Sequence, residues 1–232
     1  MGLIGKPTPV PQPPSPVRIF HITAIDNLVA IGTSRVLLAK NGLVAGRIAH
    51  ASVAYEHIQE RRSQKIVPVG PAGTLHDYVP FHFAPRSPML MAINGGNVPN
   101  CPHRQEDIVH FVAHAEDIAA AGLPFVFSNF HAVLDFAEFS SDLASLDRID
   151  WPIFFESPTQ GGYCRYWQNR SEPKYMRRKE TRQAEFLVHT RLPTPQIREI
   201  VACNGAAEVR VRTVLQQVGW EVPVRVDPAW YY

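Results

Sequence analysis

Glu185 opens the strand-like half of "KETRQAEFLVHTRLP" (179–193), directly ahead of the apolar run Phe186, Leu187, Val188. Such a run has the length and composition of a buried strand, so the carboxylate is fixed to rigid backbone and partly withdrawn from water. A carboxylate so placed can serve as a catalytic group, or it can be a strand-end acid neutralised by a neighbouring arginine. Residue types alone leave both roles open.

The segment just before it could do a second kind of chemistry. Arg165, Arg170, Lys174, Arg177, Arg178, Lys179 and Arg182 face two acids, Glu172 and Glu180, in a chain whose whole balance is only +2. Tyr163, Tyr166, Trp167 and Tyr175 are interleaved with them. Cations for phosphates and aromatic faces for bases are the composition of a groove for single-stranded nucleic acid. A solvated basic helix with a few packed aromatics has the same composition.

Other motifs are weaker. His110 and His114 have H-x-x-x-H spacing, but "FVA" between them lacks the glutamate of the zinc-protease signature and the segment begins like a strand. Cys101-Pro-His103 lacks nearby cysteines, and G-x-S-x-G, Walker and Cys-x-x-Cys motifs are missing. Asp142, Asp147 and Asp150 read as the wet side of an amphipathic helix. No metal is therefore expected. The three scattered cysteines fit reduced thiols in a cytoplasm rather than a disulfide framework.

The elements that must position these residues are short and mixed. "VRIFHITAI" (17–25) reads as a strand, 26–39 as a helix with Asp26 as N-cap, and 52–65 as a helix with Arg61 and Arg62 at its basic end. "SPMLMAIN" suits a short helix, and 107–122 splits into a strand and a helix ended by Gly122. "LPFVFSN" is a strand, and 136–151 looks helical. Two strands, "EFLVHTRLP" and "IREIVACN", precede the helix "EVRVRTVLQQVG" and a last strand with the tail "WYY". Without a regular βαβ repeat or a Gly-rich phosphate loop, this is an α+β domain and not a dinucleotide-binding Rossmann unit. The 232 residues, 45% of them hydrophobic, fit one domain over 17–232 behind an extended Pro-rich leader over 1–16. The leader lacks the apolar core of a secretory signal, and no stretch of about 18 apolar residues is available to span a membrane.

Separated stretches, in order, resemble the DarT family of DNA ADP-ribosyltransferase toxins: "HITAIDNL" (21–28), "AYEHIQERR" (54–62), "LHDYVPFHFAPRSPML" (75–90), "LPFVFSNFHAVL" (123–134), "RQAEFLV" (182–188) and "WYY" (230–232). The branch that modifies thymidine in single-stranded DNA is the most similar. The resemblance implies an ADP-ribosyltransferase-like split mixed β core with surrounding helices, holding NAD+ as co-substrate in a central cleft. It implies loss of nicotinamide and transfer of ADP-ribose to a DNA base. Breaking the nicotinamide–ribose bond builds positive charge at the anomeric carbon, as in glycoside hydrolysis. By the resemblance, Glu185 is the catalytic glutamate that orients the ribose 2′-hydroxyl and stabilises that charge.

His21, Ile22 and Thr23 match the family's first-strand NAD+ contacts, and Ala30 and Leu38 its helix and following loop, with Arg35 where a glycine commonly makes the turn. Arg62 matches the essential arginine, to which the family reading gives the thymine N3 proton. A guanidinium has no acceptor, so contact with the NAD+ phosphates or the thymine carbonyls is the softer role. The region 131–185 corresponds to the substrate-recognising loop, with His131 near the target base and Tyr166, Trp167, Arg177, Arg178 and Lys179 toward DNA. The resemblance also implies a macrodomain antitoxin partner. Transfer to RNA or protein, and a non-catalytic module for single strands, are the competing readings.

Overall fold

The structure, a computed structural model, describes residues 12–232. Residues 1–11 of the expected leader lie outside the described residues, and 12–16 form no helix or strand.

The first half of the chain runs β1 (Arg18–Ala24), α1 (Leu28–Ser34), β2 (Val36–Leu38), α2 (Lys40–Ala45), α3 (Glu56–Gln64), β3 (Tyr78–His82), α4 (Pro88–Asn94), β4 (Ile108–His114) and α5 (Ala115–Ala120). It continues with β5 (Phe125–Ser128), β6 (Phe139–Ser140), α6 (Pro152–Phe155), β7 (Thr159–Gln160), β8 (Tyr163–Cys164), α7 (Arg178–Thr181), β9 (Glu185–His189), β10 (Arg191–Pro193), β11 (Glu199–Ala202), α8 (Gly205–Gln217) and β12 (Val224–Val226). Eight strands form one sheet in the order β12-β11-β4-β1-β3-β9-β5-β6. Every pairing is antiparallel except β11 with β12, so the core is mixed, as expected. β2 pairs with β10, and β7 with β8, as separate two-stranded ladders.

Central strands are buried on both faces, which is why they read as apolar runs rather than alternations. Ile108 to Ala113 in β4 and Glu185 to Val188 in β9 are all buried, one of them an acid. The strand-to-helix switch at His114 comes where Glu116 and Asp117 enter a first turn, and the helix ends before Gly122 at φ +67°. Ser87 caps α4 by accepting from the Leu90 amide at 3.1 Å.

Two expected helices are corrected. Residues 26–39 form only the short α1 and then turn into β2. Asp26 is not a cap, because it lies in a 3₁₀ turn and Asn27 heads the helix. Arg35 supplies the turn in the left-handed region, φ 58°, and its guanidinium donates to the carbonyls of Val218 and Gly219, which hold it there. Residues 136–151 give β6 and a 3₁₀ segment (Leu143–Arg148) instead of a helix, because Asp142 turns its carboxylate back to the Ala144 amide.

Candidate active site

β9 lies between β3 and β5, and its first residue, Glu185, stands opposite His82 in the register. The carboxylate is 1% exposed. Arg62 Nη1 donates to both its oxygens, at 3.1 and 2.8 Å, and the Ala132 amide donates to Oε1 at 3.1 Å. His131 Nε2 lies 3.7 Å from the same Oε1. Burial alone pushes the Glu185 carboxyl up, but the Arg62 guanidinium outweighs burial and holds the carboxyl below its usual range. The acid is thus both ion-paired and ionised, and Oε2 keeps capacity for a further donor.

Arg62 explains why a helix as polar as α3 is fixed at all. It is the buried residue of that helix, and its ion pair to Glu185 docks α3 against the sheet. Arg61, one position earlier, is exposed and reaches only the Val133 carbonyl at 3.4 Å. Arg62 Nη2 is buried with no partner among the described residues, a donor left over for something that binds here.

Next to this pair, β1, α1, β2 and the 48–54 loop enclose a largely apolar cavity of about 490 Å³. His21, Ile22, Thr23, Ala30 and Leu38, the five residues expected to touch NAD+ apart from Arg62, all line it. Gln59 of α3 and Pro80 of β3 line it too, one turn before Arg62 and two residues before His82, so cavity and ion pair share their walls. His21 Nδ1 lies 2.8 Å from the Pro80 carbonyl, so that nitrogen carries the proton and Nε2 is left as an acceptor. Burial pushes the His21 ring down to about 4, so it is neutral. Asn27 braces this wall by donating to Thr23 Oγ1 at 3.1 Å and to the Ala51 carbonyl at 3.0 Å.

The basic segment divides in two. Arg177, Lys179 and Tyr166 are exposed. Arg178, expected beside them, is 2% exposed, sits 3.7 Å from the Tyr175 ring centre and donates to Glu156 at 2.7 Å. Trp167, expected as a stacking platform, is buried with the Arg182 guanidinium 4.5 Å over its ring, and Arg182 Nη1 donates to the Cys164 carbonyl at 2.7 Å. Arg178, Arg182 and Trp167 are therefore internal staples of this loop, not part of its outer face.

Sequence reasoning passed over His82, Ser128, Asn27 and the Ala132 amide, all of which touch or brace the site. His82 stood in the matched stretch 75–90, two residues after Pro80, and strand alternation was the signal that would have found it. Ser128 Oγ accepts from the Glu185 amide at 3.3 Å across the β5–β9 boundary, a contact that no local pattern encodes. Among the described residues no group of three or more histidine, cysteine, aspartate or glutamate side chains comes together as a metal site, and no helix is long and apolar enough to cross a membrane.

A family model described as "ssDNA thymidine ADP-ribosyltransferase, DarT" matches residues 20–232. A DNA ADP-ribosyl transferase of Thermus sp. (strain 2.9) is 41% identical over 223 residues, covering 94% of this chain and 98% of the relative. One from Escherichia coli O127:H6 is 34% identical over 172 residues, 74% of each chain. The solved structure of Thermus sp. 2.9 DarT in complex with ADP-ribosylated ssDNA superposes with a TM-score of 0.84 at 39% identity, over 96% of this chain and 99% of that one. The same protein in complex with NAD+ gives 0.79 at 36%, over 95% and 100%. With the matched residues gathered around one cavity and one buried ion pair, the chain belongs to the DarT family of single-stranded DNA thymidine ADP-ribosyltransferases.

Proposed function

We propose that the cavity beneath β1 and α1 holds NAD+ and that Glu185 and Arg62 act at its nicotinamide end. The activity is that of the family: ADP-ribose passes from NAD+ to the thymine of thymidine in single-stranded DNA, and nicotinamide leaves. The observation that carries the residue roles is a carboxylate 1% exposed yet held ionised, beside an arginine with an unused buried donor.

Glu185 Oε2 accepts the ribose 2′-hydroxyl and faces the charge that builds at the anomeric carbon. One preorganised contact of that kind is worth on the order of 3 kcal/mol, about a hundredfold in rate. His21 Nε2 accepts a hydroxyl of the other ribose, and the amides of β1 near Ile22 and Thr23 grip the carboxamide. Ala30 and Leu38 line the apolar part of the cleft. Arg62 keeps Glu185 ionised through Nη1 and offers Nη2 to a thymine carbonyl, where it stabilises negative charge as N3 loses its proton. The proton goes to a group with a free lone pair. His131 stands 3.7 Å from Glu185 and offers an imidazole lone pair, and the Glu185 carboxylate beside it stabilises the imidazolium that forms. Tyr166, Arg177 and Lys179 hold the strand on either side of the base.

No step needs a metal. The enzyme works in the cytoplasm, where NAD+ and exposed single strands coexist, as the toxin of a pair whose antitoxin is a macrodomain that removes the modification. The test offers labelled NAD+ to single-stranded DNA, duplex DNA, RNA and protein in parallel. Label is expected on single-stranded DNA that contains thymidine and lost when thymidine is replaced. Label on RNA or protein with bare DNA would overturn the acceptor.

A further inference from the structure

The cavity beneath β1 is walled by apolar and neutral polar groups, yet a dinucleotide brings the negative charge of its pyrophosphate into it. Among the described residues that line the cavity, Lys40 alone carries a full positive charge, and none is an acid. Arg62 stands beside the cavity, but its charge is spent on Glu185 at 2.8 Å. Uncancelled positive charge in the cleft is therefore concentrated at one ammonium.

That ammonium is held without being neutralised. Lys40 Nζ donates to His50 Nε2 at 2.9 Å, and His50 is itself part of the cavity wall. His50 Nδ1 lies 3.3 Å from the Ile48 carbonyl, so Nδ1 carries the proton and Nε2 turns its lone pair to the ammonium. A neutral acceptor orients Lys40 and leaves its charge intact. Asp77, the acid that reaches the next residue along, is committed elsewhere. Asn41 Nδ2 donates to one of its oxygens at 2.7 Å, and the Thr74 amide donates to the other at 2.8 Å. A lysine ammonium is strongly hydrated and usually reaches for water. This one is half-buried against a wall imidazole, with no ion-pair partner among the described residues. Its remaining protons are available to a ligand.

The place of Lys40 along the cleft is also defined. His76 Nε2 lies 3.1 Å from Oε1 of Gln59, a wall residue, and burial pushes the His76 ring down with Arg62 and Lys40 adding to the effect. Lys40 and Arg62 thus flank one imidazole, with Arg62 at the nicotinamide end. The phosphates that join two riboses must pass just beyond that end.

We propose that Lys40 binds the pyrophosphate of NAD+ and that His50 is the positioning residue that aims its ammonium. The inference rests on the reading of this cavity as the NAD+ site. It gives the two cations separate tasks: Lys40 takes the phosphates, and Arg62 keeps Nη2 for the base. Ligands that carry the diphosphate, such as NAD+ and ADP, gain from Lys40, and adenosine does not. The pyrophosphate keeps its charge as the nicotinamide bond breaks, so the contact acts on KM and leaves kcat alone.

Lys40→Met keeps the stem of the side chain and removes its charge. Calorimetric titration should show NAD+ and ADP bound about tenfold more weakly, the worth of one charge-assisted contact, and adenosine within about twofold of wild type. In labelling of DNA, KM for NAD+ should rise by about the same tenfold while kcat stays within about twofold. His50→Leu should weaken NAD+ binding by about fivefold, and His50→Gln, whose amide oxygen again accepts from the ammonium, should recover most of that loss. Thermal unfolding checks the fold of each variant. Undiminished NAD+ affinity in a folded Lys40→Met protein overturns the assignment. So does an equal loss for ADP and adenosine, which would mean a damaged wall and not a lost charge. Equal losses in the two His50 variants remove its positioning role. Wild type that binds neither NAD+ nor ADP defeats the reading of the cavity as the NAD+ site instead.

Discussion

The cleft beneath β1 and the basic segment between Arg165 and Arg182 are opposites in sequence and opposites again in structure. The cleft residues His21, Ile22, Thr23, Ala30 and Leu38 are chemically bland, yet all five line one cavity. The basic segment looks like one continuous charged surface, yet its cations divide between solvent and interior. Arg177 and Lys179 face water, while Arg178 and Arg182 are 2% and 1% exposed. Charge density along a chain therefore does not measure charge on a surface. A buried arginine can survive because its ring stacking, carbonyl contacts and a carboxylate such as Glu156 replace water.

The largest effect should come where the two regions meet. Glu185→Gln keeps an oxygen for Arg62 Nη1 but removes the charge. Transfer to DNA should fall about a hundredfold or more, on the order of 3 kcal/mol at the transition state. NAD+ affinity should change by less than about tenfold, because most of the cavity wall is untouched. Near-normal labelling by a folded Glu185→Gln protein would remove Glu185 from the chemistry.

Within the basic segment, neighbours should behave as if they came from different proteins. Arg178→Ala breaks a buried pair with Glu156 and empties the space over Tyr175, so it should cost about 3 kcal/mol of stability. Arg177→Ala, one position away and exposed, should stay within about 0.5 kcal/mol of wild type. Denaturant titrations of the two variants measure this directly. Equal stabilities would mean that the segment is a uniform solvated face after all.

Much of the scaffold was legible because it rests on local rules. The strand at Phe186–Val188, the short helix in 87–94 and the split of 107–122 into a strand and a helix that stops before Gly122 follow from apolar runs and a glycine stop. The helix expected over 26–39 failed because Arg35 adopts a conformation usually left to glycine, held there by carbonyls at 218 and 219, far along the chain. At the site, position and type of Glu185 were readable, but its partner was not. Arg62 lies 123 residues earlier, and the local cations on the N-terminal side of Glu185 turn outward or pair elsewhere. Burial of Arg178 and Trp167 depends on Glu156 and Arg182 folding over them, which composition cannot express.

Acid should distinguish the regions next. Burial pushes His21, His110 and His131 down to about 4 in the folded protein, against about 6.5 in an unfolded chain. Between those values the unfolded chain binds more protons, so stability falls as pH falls from about 6.5 toward 4. Each histidine contributes up to about 1.4 kcal/mol per pH unit. Glu185, whose folded carboxyl is depressed, adds a further loss only below the ordinary carboxylate range. The melting temperature should be flat above pH 7 and fall steadily toward pH 5. Arginines do not titrate in this window, so Arg178→Ala should shift the whole curve down without changing its shape. A wild-type curve flat to pH 5 would mean that these imidazoles are solvated.

The smallest effect is the most direct measure of what the basic segment does outside. Arg178 cannot hold a phosphate without leaving Glu156, so the informative variant replaces Arg177 and Lys179 together and leaves Arg178 in place. For a single strand, each phosphate that the protein no longer neutralises takes about 0.7 off the slope of log affinity against log salt concentration. The double variant should therefore flatten the slope by about 1.4 for a thymidine-containing oligonucleotide, with affinity reduced most at low salt. NAD+ binding, set by the cavity under β1, should not follow salt in the same way. Adding Arg178→Ala on top should then cost stability but leave the slope where the double variant put it, because that charge never reached the surface. A further drop in slope from Arg178 would show that the interior arginine swings out to meet DNA, and the two halves of the segment would have to be treated as one.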